Sequence, residues 1–245
     1  MSLNVIRFLF PLILFFQWLS IQAQVRPVES INYTWFDEMI GIENTNIFNG
    51  EVYQPEYYPL KGEHAYFKTD KFTKGFIEYD GQKYYNQNLK YDVYKDEILV
   101  KLERGYGEAI IKLVKNKVSK FELLGHSFKL YNVDNESKGI SFVEILNTSE
   151  RLTLVKKHSK TKVNKIKQRT LFESFKPNSN YFIIYKNKFF DFKKDRYLLR
   201  IFPQLKDEIQ EILRDKSDFK SIDKDRYRLF LIEQIEKLEL EDQKI

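Results

Sequence analysis

FIEYDGQKYYNQNLKYDVYKDEILVKL, residues 76–102, is the stretch that decides the fold. Apolar and polar residues alternate along it with period two, as in strands with one face on a core and the other in water. Asp80-Gly81 interrupts the alternation between two such runs. A two-residue type I′ turn needs positive φ at both central positions, and Asp-Gly adopts that conformation readily. The turn fixes a register, with Tyr79 opposite Gln82, Glu78 opposite Lys83 and Ile77 opposite Tyr84. Lys95-Asp96 forms the next turn, between Leu89-Tyr91-Val93 and Ile98-Val100-Leu102.

Turn signals recur at Lys115-Asn116, near Gly125-His126, around Asn135 to Gly139, at Asn147 to Glu150 and at Lys186-Asn187. Strands at such spacing describe an antiparallel meander. Pro177-Asn178-Ser179-Asn180 reads as a turn or linker, followed by a hairpin of Tyr181–Tyr185 and Lys188–Phe192. Beyond it the period becomes helical. Pro203 suits a first helical turn, and Leu205, Ile209, Ile212 and Leu213 make an apolar stripe. Ser221 or Asp223 can cap a last helix whose buried face holds Tyr227, Phe230, Leu231, Ile235 and Leu238. The predicted class is α+β, mainly β: an antiparallel meander that can curve into a half-barrel, with a C-terminal helical hairpin.

The N-terminus reads as a secretory signal peptide. Arg7 precedes an apolar run from Phe8 to Phe16, and small residues lead to a cleavage site after Ala23. Pro11 and Gln17 break a run already short for a membrane span. The expected organisation is a signal peptide over 1–23 and an N-terminal segment with a short helix over 24–49. The meander follows over 50–192 and a helical region packed on the sheet over 193–245. No cysteine is present, so disulfides, thiolate metal sites and thiol nucleophiles are excluded. The formal charge is +6, from 41 basic and 35 acidic residues, which permits contact with anionic surfaces without requiring it.

Three segments, IFNGEVYQPEYYPLKGEHAYF (47–67), YDGQKYYNQNLKYDVYKDEILV (79–100) and YKNKFFDFKKDRYLLRIFPQLKDEIQEIL (185–213), carry a resemblance. Together they resemble a group of uncharacterised exported proteins of Gram-negative bacteria. That group has an N-G-x-x-Y start, a G-H-P-Y-F-like strand, a D-G-x-x-Y hairpin, a Y-D-x-x-x-D-E turn and a Lys-rich helical tail. The second element departs here, reading Gly62-Glu63-His64-Ala65-Tyr66-Phe67 with an extra residue and no proline. The resemblance implies export and a shared fold; it implies no activity and no catalytic residue.

The candidate sites each have a structural and a functional reading. Lys156, Lys157, Lys160, Lys162, Lys165, Lys167 and Arg169 form a basic run with no acid between Glu150 and Glu173. They suit an anionic envelope surface, or the edge of a sheet protected by lysines. Tyr53, Tyr57, Tyr58, Tyr66, Phe67, Phe72, Phe76, Tyr79, Tyr84, Tyr85, Tyr91 and Tyr94, with Tyr79, Tyr84 and Tyr91 foremost, suit a face for a small apolar or glycan ligand, or simply the core of a sheet. Asp92, Asp96 and Glu97 suit a hard cation only weakly, with Tyr94 and Lys95 between them and no glycine at the bend. His64, His126 and His158 have no metal-ligand spacing. Ser127 follows His126, but no Gly-x-Ser-x-Gly elbow accompanies it. No metal, cofactor or nucleic-acid partner is expected, and no transmembrane segment once the signal is removed. The sequence points to an exported envelope protein, periplasmic, outer-membrane-associated or secreted, with a non-enzymatic binding or structural role. A secreted hydrolase acting on an envelope polymer or ester is the alternative.

Overall fold

The computed structural model describes residues 44–57, 59, 62–104, 107–132, 139–147, 149, 151–167, 169–215 and 223–242, with isolated positions 33, 35, 39 and 41. The expected signal peptide lies outside these residues. So does the short N-terminal helix, apart from Tyr33, Trp35 and Met39, which are helical. The turns expected at 135–139 and 147–150 also fall largely outside.

The fold is mainly an open antiparallel sheet of eleven strands with C-terminal helices. The strands are β1 (Glu51–Val52), β2 (Thr73–Tyr79), β3 (Gln82–Asp92), β4 (Glu97–Arg104), β5 (Gly107–Lys112) and β6 (Val118–Leu123). They continue as β7 (His126–Asn132), β8 (Ile140–Ile145), β9 (Leu152–Lys167), β10 (Thr170–Tyr185) and β11 (Lys188–Asp191). The helices are α1 (Leu198–Ile201), α2 (Lys206–Asp215) and α3 (Lys224–Asp242). The sheet order is β1-β5-β4-β3-β2-β6-β7-β8-β9-β10-β11, so two runs of sequential hairpins join where β2 meets β6.

The Asp-Gly hairpin has the expected register, with Ile77 opposite Tyr84, Glu78 opposite Lys83 and Tyr79 opposite Gln82. Asp80 and Gly81 both have positive φ, 52° and 78°, as a type I′ turn requires. The expectation of a turn at Pro177-Asn178-Ser179-Asn180 is corrected. Those residues continue β10, which pairs with β9 along its whole length, Pro177 opposite Lys160. Proline is tolerated there because β11 reaches only to Phe182, so no strand neighbour asks for an N–H on the outer edge.

The sheet curls. Tyr91 on β3 and Phe142 on β8 are four strand steps apart, about 19 Å in a flat sheet at ~4.8 Å per step. Their ring centroids lie 6.0 Å apart. The concave face holds the main core, where Phe121 and Phe128 stack at 4.6 Å and Ile77, Leu89, Val100 and Ile111 pack around them. A second cluster joins β9 and β10 to the helices through Leu154, Ile183, Phe202, Ile209, Leu231 and Ile235. The apolar stripes expected for α2 and α3 supply its helical side. Asp223 caps α3, its Oδ1 accepting the N–H groups of Asp225 and Arg226.

The described residues 53–57, 59 and 62–68 work as a strap. Lys95 on the β3–β4 turn donates to its Glu56, and Pro59 bridges Glu173 of β10. Glu63 pairs with Lys165, and Phe67 N–H donates to the Tyr91 carbonyl. The strap thus ties the end of β3 to the β9–β10 hairpin across the curl.

Gly75 shows how closely two strands approach at a bulge. A Cβ there would lie 2.4 Å from the Glu122 carbonyl oxygen and 3.0 Å from Leu89 Cδ1. Gly75→Ala is expected to lose about 1–3 kcal/mol of stability from this overpacking. A urea midpoint unchanged from wild type would show that the approach is looser than the structure has it.

Candidate functional site

A row of directly opposed residues crosses the concave face: Tyr84, Ile77, Phe121, Phe128, Glu144, Lys156 and Tyr181. It is apolar or aromatic as far as Phe128. At Glu144 and Lys156 it becomes charged, between the two cores. Directly opposed residues share a face, and diagonal neighbours ~7–8 Å away stay within reach of long side chains. His126 is two residues from Phe128, and His158 is two residues from Lys156. The pleat therefore places both histidines on diagonals of Glu144.

Glu144 is 5% exposed and accepts from both. His158 Nε2 donates to Oε2 at 2.6 Å, and His126 Nδ1 donates to Oε1. Lys68 of the strap donates to His126 Nε2, which leaves the ring proton on Nδ1, toward Glu144. Phe67 packs edge-on against His126, His158 and Phe128 at centroid distances of 5.2, 4.9 and 5.2 Å. Burial pushes the Glu144 carboxyl up, but the hydrogen bonds from His158 and His126 outweigh it and hold the group below its usual range. Next along the row, Lys156 donates to Asp225 Oδ2 at 2.6 Å, and the Tyr181 hydroxyl donates to Asp225 Oδ1. These bonds tie α3 to the sheet. Arg228 lies 3.9 Å over the Tyr181 ring.

A second polar group sits where the strap meets the end of β3. Asp92 is 1% exposed. Its Oδ1 accepts the N–H groups of Tyr94 and Lys95, both at 2.9 Å, which shapes the β3–β4 turn. Its Oδ2 is buried with no hydrogen-bond partner, and so is the Tyr57 hydroxyl. The Tyr53 and Tyr66 hydroxyls meet at 3.1 Å. Burial raises all three phenols, and the Asp92 charge adds to the shift. Burial also pushes the Asp92 carboxyl up to about 6, against the two turn hydrogen bonds that favour its charge. Tyr57 packs edge-on with Tyr94 at 5.9 Å and with Phe175 at 5.1 Å, and the Asp92 charge reaches its phenol. Burial lowers the Lys160 ammonium, while Asp92 acts to raise it.

The residues singled out from sequence fall as follows. Tyr79, Tyr84 and Tyr91 lie in the core at 0–1% exposure. Their hydroxyls donate to the Asn49 carbonyl, to Gln82 and to Asp96. In the basic run, Lys157 donates to Ser141, Lys160 to the His64 carbonyl, Lys162 to Glu173 and Lys165 to Glu63. Arg169 is exposed, and the Lys167 side chain lies outside the described residues. Asp96 pairs with Lys115 at 2.7 Å, and Glu97 lies 3.8 Å from Lys112, which pairs more closely with Glu51 at 2.6 Å. Among the described residues no group of three or more His, Asp or Glu side chains is arranged to hold a metal ion. Ser127 and His126 are successive strand residues and point to opposite faces.

Sequence reasoning missed Glu144, and it weighed Asp92 only as one acid of a turn that could meet a hard cation. Glu144 left a trace: in Ser141-Phe142-Val143-Glu144-Ile145-Leu146 an acid shares parity with Phe142 and Leu146, placing a charge on the apolar face. No family model matches the chain, and no curated protein or solved structure matches it.

Glu144→Gln is expected to lose about 2 kcal/mol at pH 7, the scale of hydrogen bonds to a charged partner. Because the folded value is depressed, this stabilisation is complete above the ordinary value of 4.5 and fades as pH falls through the lower folded value. Urea titrations at pH 7 and pH 3 should therefore show the variant's deficit closing in acid. A deficit that stays constant would mean that the carboxylate charge is not what the histidines hold.

Proposed function

We propose that this chain is an exported, non-enzymatic binding protein of the cell envelope, with its ligand seat at Asp92. The observation that carries this reading is the buried Asp92 Oδ2, which accepts nothing beside a Tyr57 hydroxyl that also has no partner. A buried polar atom without a partner costs stability, and one such atom beside aromatic rings suits an incoming hydrogen-bond donor. Half-buried Tyr53, Tyr57 and Tyr66 offer flat faces and hydroxyls together. That combination fits a hydroxyl-rich ligand of the glycan class. Export rests on the leader sequence of residues 1–23, and the resemblance to exported Gram-negative proteins agrees with it. Among the described residues no helix is long and apolar enough to cross a membrane.

Catalysis fits the histidines less well. His126 is engaged at both ring nitrogens, and His158 is held on Glu144. Neither pairing presents a base to a neighbouring hydroxyl nucleophile, which the hydrolase alternative needs.

Saturation-transfer NMR with cellobiose and N,N′-diacetylchitobiose tests the seat. Wild type should bind at least one sugar, and Asp92→Asn should weaken it about tenfold, the loss of one good hydrogen bond. Equal binding by the variant, or no binding of either sugar, would remove the seat, and cleavage of a sugar would favour the hydrolase. The same variant has a pH signature. The folded value of about 6 lies above the ordinary 3.8, so ionising Asp92 costs stability that is absent below the lower value and complete above the higher one. Asp92→Asn should therefore be more stable than wild type at pH 7.5 and lose that gain by pH 3.5.

A further inference from the structure

The β9–β10 hairpin outruns the sheet that carries it. β8 pairs with β9 only through Glu144–Lys156 and Ile145–Val155, and β11 pairs with β10 only from Phe182 onward. Among the described residues, the two strands from Lys157 to Asn180 have only each other as strand neighbours, apart from the isolated Pro59–Glu173 bridge. That leaves a two-stranded arm about 33 Å long at ~3.3 Å per residue.

Two independent features mark the arm. The first is charge. Residues 157–180 hold seven cations and one acid, an excess of six, equal to the +6 of the whole chain. Everything outside the arm balances to zero. Lys162 and Lys165 meet Glu173 and Glu63, whereas Lys160 donates to a neutral carbonyl and Arg169 and Lys176 are exposed. The second is apolar. Ile166 and Leu171 are directly opposed near the tip and are 78% and 61% exposed. Ile166 is the most exposed large hydrophobic side chain among the described residues. Lysines alone would protect a free edge; an aliphatic pair on the same arm works against that protection.

We propose that the arm docks on an anionic lipid surface, with Ile166 and Leu171 entering the headgroup layer and the surrounding cations facing lipid phosphates. Apolar insertion and electrostatic attraction reinforce each other at such a surface, and weak single signals become stable only in combination. The Ile166–Leu171 pair lies at the tip, four residues beyond Phe175, where the arm meets Tyr57 of the Asp92 group.

The test is flotation of the full chain with vesicles of phosphatidylglycerol and phosphatidylethanolamine, beside vesicles of phosphatidylcholine alone. Wild type should float with the anionic vesicles, weaken as salt is raised and ignore the neutral ones. Ile166→Ser/Leu171→Ser and, separately, Arg169→Glu should each reduce binding about tenfold or more. Both alter exposed side chains, so circular dichroism should match wild type. Absence of anionic binding, equal binding to neutral vesicles, or binding unchanged in the double variant would each overturn the proposal. Concentration-dependent dimerisation lost in the double variant, with no vesicle binding, would overturn it in favour of a second copy.

Discussion

Curvature of the eleven-stranded sheet is the constraint on which the other features rest. Left flat, its concave face would expose Tyr91, Phe121, Phe128 and Phe142 to water; curled, it buries them against one another. Register shifts at Gly75/Ile77 and at Glu78/Tyr79 lie where the two hairpin runs join. Bulges sharpen local twist, so β2 is where the sheet bends most readily. Asp96 fixes the result. From the β3–β4 turn it accepts from the Tyr91 hydroxyl, the Lys115 ammonium and the Phe142 N–H of β8, four strands away.

The curl leaves a boundary between the core lined by β2–β8 and the core shared with the helices. Charged groups occupy it. Buried charges are costly unless paired, and breaking one partner leaves the other exposed to that cost. The pairing here is dense: Glu144 between two imidazoles, Asp225 between Lys156 and Tyr181. Such a boundary holds strand register more strictly than interchangeable aliphatics would, since a slip of one residue would point Glu144 to the other face. Asp92 stands apart from this economy, because one of its oxygens is left open.

The hairpin at Asp80-Gly81 was legible to the residue because its register depends on local turn chemistry alone. The helical stripes were legible for the same reason: period 3.6 over Leu205–Leu213 and Tyr227–Leu238 needs no partner. Pro177 misled because its role depends on where β11 begins, which is a property of the sheet. His126, Glu144 and His158 are separated by 18 and 14 residues, and their meeting requires the pairings β7–β8 and β8–β9 together. The second of those pairings comprises only two residue pairs. Asp92 read as an ordinary hairpin acid, since its burial comes from a strap that sequence gives no reason to bring across. The tyrosines chosen as a binding face, Tyr79, Tyr84 and Tyr91, share the parity of the core. Tyr53, Tyr57 and Tyr66 belonged to the same candidate aromatic face, but they lie in the irregular strap, where alternation does not separate a core residue from a surface one.

The curl presses the β3–β4 turn against β10 and so brings Asp92, Tyr57 and Phe175 into one group. Tyr94 and Phe175 report on it directly. Six strand steps separate β3 from β10, about 29 Å in a flat sheet. The ring centroids are 5.4 Å apart. Selective labelling of tyrosine and phenylalanine rings, followed by nuclear Overhauser spectroscopy, measures that contact. A cross-peak between the Tyr94 and Phe175 rings is the predicted result. Assigned resonances for both rings with no cross-peak would contradict the closure, and with it the seat.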